Sequence, residues 1–180
     1  VDGENFQNYT SYSFNTYYLA TSKFLTGGTA DDTGAITYTD EEKAAAVTAA
    51  EAAAQELSAE GINTVEAFDA AIAGLSVNEG LTAASTDYTG TLYTALSATY
   101  SQWLTDESRV EGDIAYFPST STDAEGKETV NGYYIVLFRG VDDNTDPMIN
   151  VRHILVKVDT SALNSEDESY DELLKLLTEA

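Results

Sequence analysis

Residues 150–157, Asn-Val-Arg-His-Ile-Leu-Val-Lys, contain the only histidine of the chain, His153. The segment is rich in β-branched residues and alternates in character, which predicts a half-buried strand. One face of this strand would hold Val151, His153, Leu155 and Lys157, and the other would hold Arg152, Ile154, Val156 and Val158. A single histidine in a strand usually has a structural role, so these residues alone predict a β-strand and not a catalytic site.

The composition is that of a folded and strongly acidic protein. The chain has 180 residues, 43% of them apolar, which is enough for one domain with an appendage or for two small domains. It carries 31 acidic and 8 basic side chains, a formal charge of −23. Such a surface repels phosphate, so nucleic acid and anionic membrane surfaces are disfavoured as partners. We expect neutral or basic partners.

The chain contains few histidine and cysteine side chains, which commonly act in catalysis or bind transition metals. Cysteine is absent and histidine occurs once, which disfavours disulfides, thiol chemistry, a catalytic triad and a transition-metal site. Asp142, Asn144 and Asp146 have the spacing of the first ligands of a calcium loop. Pro147 then stands where glycine is needed, and His153 where a bidentate glutamate is needed. The sequence therefore predicts no cofactor and no metal site, and leaves only adventitious calcium binding open.

No apolar run approaches the roughly 18 residues that are needed to cross a bilayer. The sequence opens at Val1 and not at methionine, which is compatible with removal of a signal peptide or a lipoprotein leader. We expect an extracytoplasmic protein that is secreted or held at the cell envelope.

Three helices are predicted in the first part of the chain. The clearest one begins at a capping box of Thr39 and Glu42 and has an alanine-rich body, and the second would bury Phe68. The third is predicted from apolar residues at helical spacing. The predicted bounds are Thr39–Glu60, Thr64–Ala73 and Thr91–Leu104.

The strands are predicted from aromatic, threonine and β-branched content. They lie at Phe14–Leu25, Ile114–Phe117 and Gly132–Arg139, with loops at Thr26–Ile36, Ser76–Thr91 and Pro118–Asn131. An acidic amphipathic helix is predicted at Glu166–Ala180. These elements predict an α+β fold, with a small antiparallel-rich sheet packed with several helices and a C-terminal strand–helix appendage.

The octet around His153 resembles the first strand of parvulin-type (rotamase) peptidyl-prolyl isomerases, in which a histidine sits in an Arg-His-Ile-Leu run. Four other segments are similar to parvulin segments in the same order along the chain. They are Glu-Glu-Lys-Ala-Ala-Ala at 41–46, Glu-Ala-Phe-Asp-Ala-Ala-Ile at 66–72, the Trp103–Asp113 segment of clostridial parvulin-like proteins, and Gly-Tyr-Tyr-Ile-Val at 132–136. The resemblance implies a divergent parvulin-like domain.

On this resemblance the chain divides into four parts: a lead-in at 1–12, the parvulin-like domain at 13–140, a linker at 141–148, and the first strand and helix of a second parvulin-like unit at 149–180. The last part is too short to bury a core of its own. We expect it to continue in a longer polypeptide, to dock on the first domain, or to pair in a homo-oligomer through the strand at 149–158.

The resemblance also implies a site. Parvulins carry a pair of histidines on adjacent strands beside an apolar pocket. His153 matches the first histidine, whereas in the first domain Tyr17 and Tyr134 occupy the two histidine positions. The implied catalytic positions are therefore His153, Tyr17 and Tyr134, with isomerase activity weak or lost in this chain.

Aromatic side chains are the candidate substrate contacts. The predicted groove residues are Phe68, Tyr18, Trp103 and Tyr133. The chain has 12 tyrosines, and others, among them Tyr88 and Tyr100, would suit an amphipathic groove for extended polypeptide. That most of them are core and edge residues of a small sheet is an equally open interpretation.

We expect an extracytoplasmic parvulin-like foldase or chaperone that binds unfolded or proline-containing polypeptide. The alternative is a non-enzymatic cell-surface interaction module on a parvulin scaffold, and a third interpretation is a partial chain without activity of its own. A solvent-open groove of Tyr17, Tyr134 and Phe68 would favour the first interpretation, and a filled groove the second.

Overall fold

The computed structural model describes residues 10–143, which form an α+β domain built on a four-stranded antiparallel sheet. The predicted fold class is confirmed. The elements are β1 Ser11–Ala20, β2 Thr29–Ala30, β3 Ile36–Thr37, α1 Asp40–Leu57, α2 Val65–Gly74, β4 Thr86–Leu92, α3 Ser101–Leu104, β5 Ile114–Thr122 and β6 Glu128–Asp142. His153, the predicted strand around it and the predicted helix at 166–180 lie outside the described residues.

β1 and β6 are the central strands of the sheet, and β4 and β5 are its edges, in the order β4-β1-β6-β5. The two central strands are rich in aromatic and β-branched residues, which favour a pleated and buried position. Tyr17 lies opposite Ile135, and Tyr18 lies opposite Tyr134. Since successive side chains of a strand point to opposite faces, these two pairs belong to opposite faces of the sheet.

α1 begins at the predicted capping box. The Thr39 hydroxyl accepts a hydrogen bond from the Glu42 backbone N–H at 3.2 Å, and Glu42 Oε2 accepts one from the Thr39 N–H at 2.8 Å. Glu42 Oε1 also accepts from the Gly28 N–H at 2.9 Å, which ties the preceding loop to the helix. These bonds, the one from Gly28 foremost, lower the pKa of the Glu42 carboxyl. The capping carboxylate therefore stays ionised at neutral pH.

α1 and α2 cover one face of the sheet. α1 contributes mainly alanines, whose small side chains let the helix pack closely, and α2 contributes Phe68 and Ile72, both fully buried. Burying one such large side chain stabilises the fold by about 1.5–3 kcal/mol. The buried residues on this side are Tyr17, Leu19, Ala50, Ala53, Ala54, Leu57, Phe68, Ile72, Tyr133, Ile135 and Leu137.

The other face of the sheet is covered by the chain between β4 and β5, which includes α3. Tyr100 and Leu104 from this segment pack against the sheet side chains. The buried residues on this side are Tyr12, Phe14, Tyr100, Leu104, Val136 and Phe138. The sheet therefore separates two apolar layers, one beneath helices and one beneath a largely irregular segment.

The structure corrects the bounds of several strands. The first strand ends at Ala20, and a 3₁₀ turn follows at Thr21–Phe24 instead of the predicted continuation. The predicted loop at Thr26–Ile36 contains the short hairpin of β2 and β3. The predicted loop at Pro118–Asn131 is wrong over much of its length, because β5 runs to Thr122 and β6 begins at Glu128. Apart from Val130, which packs on the core, these strand ends are polar and mostly exposed, so they lack the alternation that marks a half-buried strand.

Two further predictions around β4 are wrong. The predicted loop at Ser76–Thr91 includes most of β4, whose threonine-rich sequence is exposed along nearly its whole length. The predicted helix at Thr91–Leu104 is reduced to α3, with a 3₁₀ turn at Tyr93–Ala95 before it. The apolar residues of this segment pack on the sheet from an irregular backbone, so their helical spacing does not reflect a helix. No helix within residues 10–143 is long and apolar enough to cross a membrane.

Candidate functional site

The structure does not bring Tyr17 and Tyr134 together. Tyr17 is 9% exposed and lies in the core beneath the helices, whereas Tyr134 packs on the other face of the sheet beside Tyr18. The backbone of β1 and β6 lies between the two side chains, so they cannot replace a histidine pair that acts on one substrate. His153, the third predicted catalytic residue, lies outside the described residues.

Tyr17 belongs to a buried polar network instead. Its hydroxyl donates to Asn78 Oδ1 at 3.1 Å and accepts from Asn78 Nδ2 at 2.9 Å. Asn78 is 1% exposed, and its Nδ2 also donates to the Ile72 carbonyl at 2.8 Å. Lys23 Nζ donates to Asn78 Oδ1 at 2.8 Å and to the Tyr17 hydroxyl at 3.2 Å. Because all these polar atoms have partners, the network fixes the turn after α2 to β1 and offers no free group to a substrate.

The predicted groove does not form on the helix side of the sheet. Phe68 is fully buried and Tyr133 is 4% exposed, and both pack in the same core as Tyr17. These side chains fill the space that a substrate would need. Tyr18 and Trp103, the other predicted groove residues, lie on the opposite side of the sheet.

That side carries a connected series of seven aromatic rings, which we call the aromatic face. Its members are Phe14, Tyr18, Tyr88, Tyr100, Trp103, Phe117 and Tyr134. All four strands of the sheet contribute to it, together with the segment that forms α3. Contacts between neighbouring aromatic rings are worth about 0.5–1.5 kcal/mol each beyond their buried area. These contacts therefore stabilise the arrangement of the rings in the aromatic face.

Tyr100 lies at the centre of the aromatic face. Its ring centroid is 5.7 Å from that of Tyr134, 5.8 Å from that of Phe14 and 6.4 Å from that of Phe117. It is 6% exposed. Burial, followed by charge repulsion from Tyr88 and Tyr134, raises the pKa of the Tyr100 phenol. Tyr100 is therefore neutral at physiological pH and supports the rings around it.

Two of the three ends of the aromatic face, at Tyr18 and Tyr88, are open to solvent. Tyr18 and Tyr88 are each 39% exposed. Tyr18 lies across Gly132, where an added Cβ would be 2.7 Å from the tyrosine hydroxyl. The same Cβ would be 2.6 Å from the Leu19 carbonyl oxygen, so any larger residue at this position would force the backbone or the ring to shift.

Arg109 covers the end of the aromatic face at Trp103. Its guanidinium carbon is 5.1 Å from the centroid of the Trp103 ring, and its Nη1 is 3.1 Å from the Asp113 carboxylate. This geometry combines a cation–π contact with a partly buried ion pair. The charge of Arg109 is thus already compensated within the domain.

A cavity of about 420 Å³ opens beside Arg109. Tyr12, Leu104 and Phe138 form part of its wall, and carboxylates line it as well. Burial, followed by the Asp143 charge, raises the pKa of Tyr12. The described residues that line this cavity include no nucleophile with an adjacent base. Residues 10–143 also contain no cluster of three or more histidine, cysteine, aspartate or glutamate side chains that could hold a metal ion.

Sequence reasoning missed Phe117 and Asn78. Phe117 lies at the end of a predicted strand, but the sequence does not show which face of the sheet it joins. Asn78 lies in a predicted loop, and a single polar residue there gives no local sign of burial. The tyrosine content was the available signal for the aromatic face.

No protein-family model, curated protein or solved structure matches the chain. The parvulin resemblance therefore stays a prediction.

Proposed function

We propose that residues 10–143 form a non-catalytic module that binds extended polypeptide on the aromatic face. The module would act within an extracytoplasmic foldase or chaperone, or as a cell-surface interaction module, the two possibilities expected from the sequence. The observation that carries the proposal is the partial exposure of Tyr18 and Tyr88 at two ends of a continuous, well-packed series of rings.

Exposed tyrosines suit polypeptide binding for a physical reason. The side chain is large, has few rotatable bonds and presents both an apolar ring and a hydroxyl, so it loses little entropy when a partner binds. Tyr18 rests on Tyr134 at a centroid distance of 4.8 Å, and Tyr88 stacks on Phe14 at 4.9 Å. Both exposed rings are thus held in place before a ligand arrives, which lowers the cost of binding.

The charge distribution supports a neutral or basic partner. Residues 10–143 include five basic side chains, and four of them make internal contacts: Lys23 with Asn78, Lys43 with Asp40, Arg109 with Asp113 and Arg139 with Asp87. Acidic side chains greatly outnumber basic ones in the same residues. An anionic surface steers cationic segments towards the domain and repels anionic ones.

The surroundings of Tyr17 and Phe68 support a role without isomerase chemistry in this domain. Prolyl isomerisation needs an apolar pocket for the proline ring and polar groups that stabilise the twisted amide. The Tyr17 hydroxyl is engaged by Asn78 and Lys23, and Phe68 is fully buried. The groove that the sequence predicted at these residues is filled, which favours the binding module over the foldase.

The first experiment compares two double variants of the full 180-residue chain. Tyr18→Ala with Tyr88→Ala removes the exposed ends of the aromatic face. Ile36→Ala with Leu81→Ala is the matched control, because these side chains are 57% and 62% exposed and lie outside the aromatic face. Fluorescence anisotropy would measure the binding of labelled extended peptides, and light scattering would measure the suppression of client aggregation.

We expect the tyrosine variant to lose at least about tenfold in peptide affinity, since tyrosine is enriched among the interface residues whose truncation costs about 2 kcal/mol or more. The control should stay within about twofold of the wild type. Thermal midpoints of all variants would separate lost binding from lost folding. An equal loss in both variants would show that binding does not depend on the aromatic face.

A prolyl-isomerisation assay on the full chain tests the non-catalytic part of the proposal. We expect a proline-containing test peptide to isomerise at its uncatalysed rate with the wild type, His153→Ala and Tyr134→Phe alike. An acceleration that disappears in either variant would replace the binding module with an active foldase.

A further inference from the structure

We infer that the partner binds by adding a strand to the outer edge of β4, and that it is an extended, neutral-to-basic polypeptide segment. This inference rests on the proposed function and specifies the binding mode at the same face. β4 lies at one end of the sheet and, within residues 10–143, pairs only with β1. A terminal strand presents unpaired main-chain N–H and C=O groups on its outer side, and these can pair with an incoming chain.

β4 lacks several features that protect edge strands. Its sequence is Thr-Asp-Tyr-Thr-Gly-Thr-Leu, with no lysine and no proline, and six of its seven residues are exposed. Its one charged side chain, Asp87, is drawn to Arg139 at 2.7 Å. The opposite edge strand, β5, contains Pro118, which has no N–H to donate to an added strand. β4 is therefore the more receptive of the two edges.

Arg139 gives β4 a fixed shape. Its Nη2 donates to the Asp87 carboxylate at 2.7 Å, to the Thr89 hydroxyl at 2.8 Å and to the Tyr88 carbonyl at 3.0 Å. These contacts cluster where the register between β1 and β4 shifts and where Gly90 has a φ of 64°. The irregularity divides the edge into short stretches, which limits the length of any added strand and opposes open-ended association.

Exposed apolar side chains lie along this edge on both faces of the sheet. Leu92, 44% exposed, lies opposite Ser11 in the register and therefore on the face away from Tyr12. Tyr88, 39% exposed, lies on the side of the aromatic face. Tyr88 lies opposite Phe14 in the register and stacks on its ring. An added strand with apolar side chains at alternate positions would place them on this side, while its main chain pairs with β4.

The net charge of the chain favours some polypeptides over others as the strand that pairs with β4. A second copy of the chain would bring another formal charge of −23 to the interface, so pairing between copies is opposed by repulsion. A segment with lysine or arginine at its polar alternate positions is attracted instead. The partner that fits is therefore a different polypeptide, apolar on one face of its strand and basic or uncharged on the other.

The test uses a peptide of about eight residues, repeating Tyr-Lys-Val-Thr, against the full 180-residue chain. Two derivatives carry backbone N-methyl groups, one on the odd residues and one on the even residues. In a strand, consecutive N–H groups point to opposite edges. Strand addition therefore predicts that one derivative loses at least tenfold in affinity while the other stays within about threefold of the parent peptide.

The two derivatives have the same charge and the same side chains, so each is the control for the other. A version with glutamate in place of lysine should lose at least tenfold in affinity at low salt. Hydrogen exchange should show new protection in residues 86–92 and none in β5 when the parent peptide binds.

The outcomes separate the two proposals. If the parent peptide binds through Tyr18 and Tyr88 but both methylated derivatives weaken equally, strand addition is wrong and the proposed function stands. Protection in β5 would overturn the choice of edge. Concentration-dependent protection of β4 without peptide would identify a second copy as the occupant. If no peptide binds, both proposals fail.

Discussion

Asn78 shows how one buried side chain can hold separate parts of the chain together. Its amide contacts the Tyr17 hydroxyl in β1, the Ile72 carbonyl in α2 and the Lys23 ammonium after β1. A buried polar group that keeps its hydrogen bonds contributes modestly to stability, whereas one that loses them costs considerably more. The loss of stability on a substitution here therefore depends on which buried polar atoms lose their hydrogen-bond partner.

We expect Asn78→Ala to reduce the free energy of unfolding by about 2–3 kcal/mol, because it leaves the Tyr17 hydroxyl and the Ile72 carbonyl without the amide. Tyr17→Phe should cost only about 1 kcal/mol, since Asn78 keeps its bonds to Ile72 and Lys23. Urea unfolding of both single variants and the double variant would measure this. Equal effects of the two single changes, or fully additive ones, would contradict the network.

At the scale of elements, α1 combines strong local signals with weak apolar ones. Its capping box of Thr39 and Glu42 and its alanines favour a helix by themselves. Its buried residues are four alanines and Leu57, which provide little apolar area per residue. The helix therefore depends on its start signal more than a helix with large core residues would.

Thr39→Ala should reduce the free energy of unfolding by about 1 kcal/mol through the loss of the N-cap. Thr39→Ser is the matched control and should cost much less, because serine keeps the capping hydroxyl. Thermal and urea unfolding would compare the two. The capping contribution is excluded if alanine and serine behave alike. The cap of α2 at Thr64, whose hydroxyl accepts from the Ala67 N–H at 3.2 Å, provides an independent site for the same comparison.

At the scale of the whole molecule, the acidic excess is the dominant physical property. A formal charge of −23 on 180 residues favours solubility and opposes self-association, and it destabilises any compact state through self-repulsion. Within residues 10–143 the ion pairs are few and at least partly exposed, so they offset little of this repulsion.

Raising the NaCl concentration from about 10 to about 150 mM at pH 7 should therefore raise the thermal midpoint by roughly 3–5 °C, as screening shortens the Debye length from about 30 to about 8 Å. The same salt step near pH 4.1, the isoelectric point of the sequence, is the control and should have almost no effect. Scanning calorimetry would measure both. A salt effect of the same size at the two pH values would rule out charge repulsion as its cause.

The sequence by itself determined the features that depend on local physics. The capping box at Thr39, the helix that buries Phe68 and the strand at 132–139 all follow from signals within a few residues. The α+β class follows from the order of such elements. These predictions need no knowledge of what each element packs against.

Only the tertiary structure decided where the aromatic side chains lie. Tyr17 and Tyr134 look equivalent in sequence, yet the register of β1 against β6 puts them on opposite faces, since a shift of one residue reverses the face of every side chain. The sequence did not predict β4, because an edge strand exposed on both sides shows no alternation of apolar and polar residues. The aromatic face brings together residues from Phe14 to Tyr134. Contacts over such distances in the chain depend on strand pairing, which local sequence patterns do not specify.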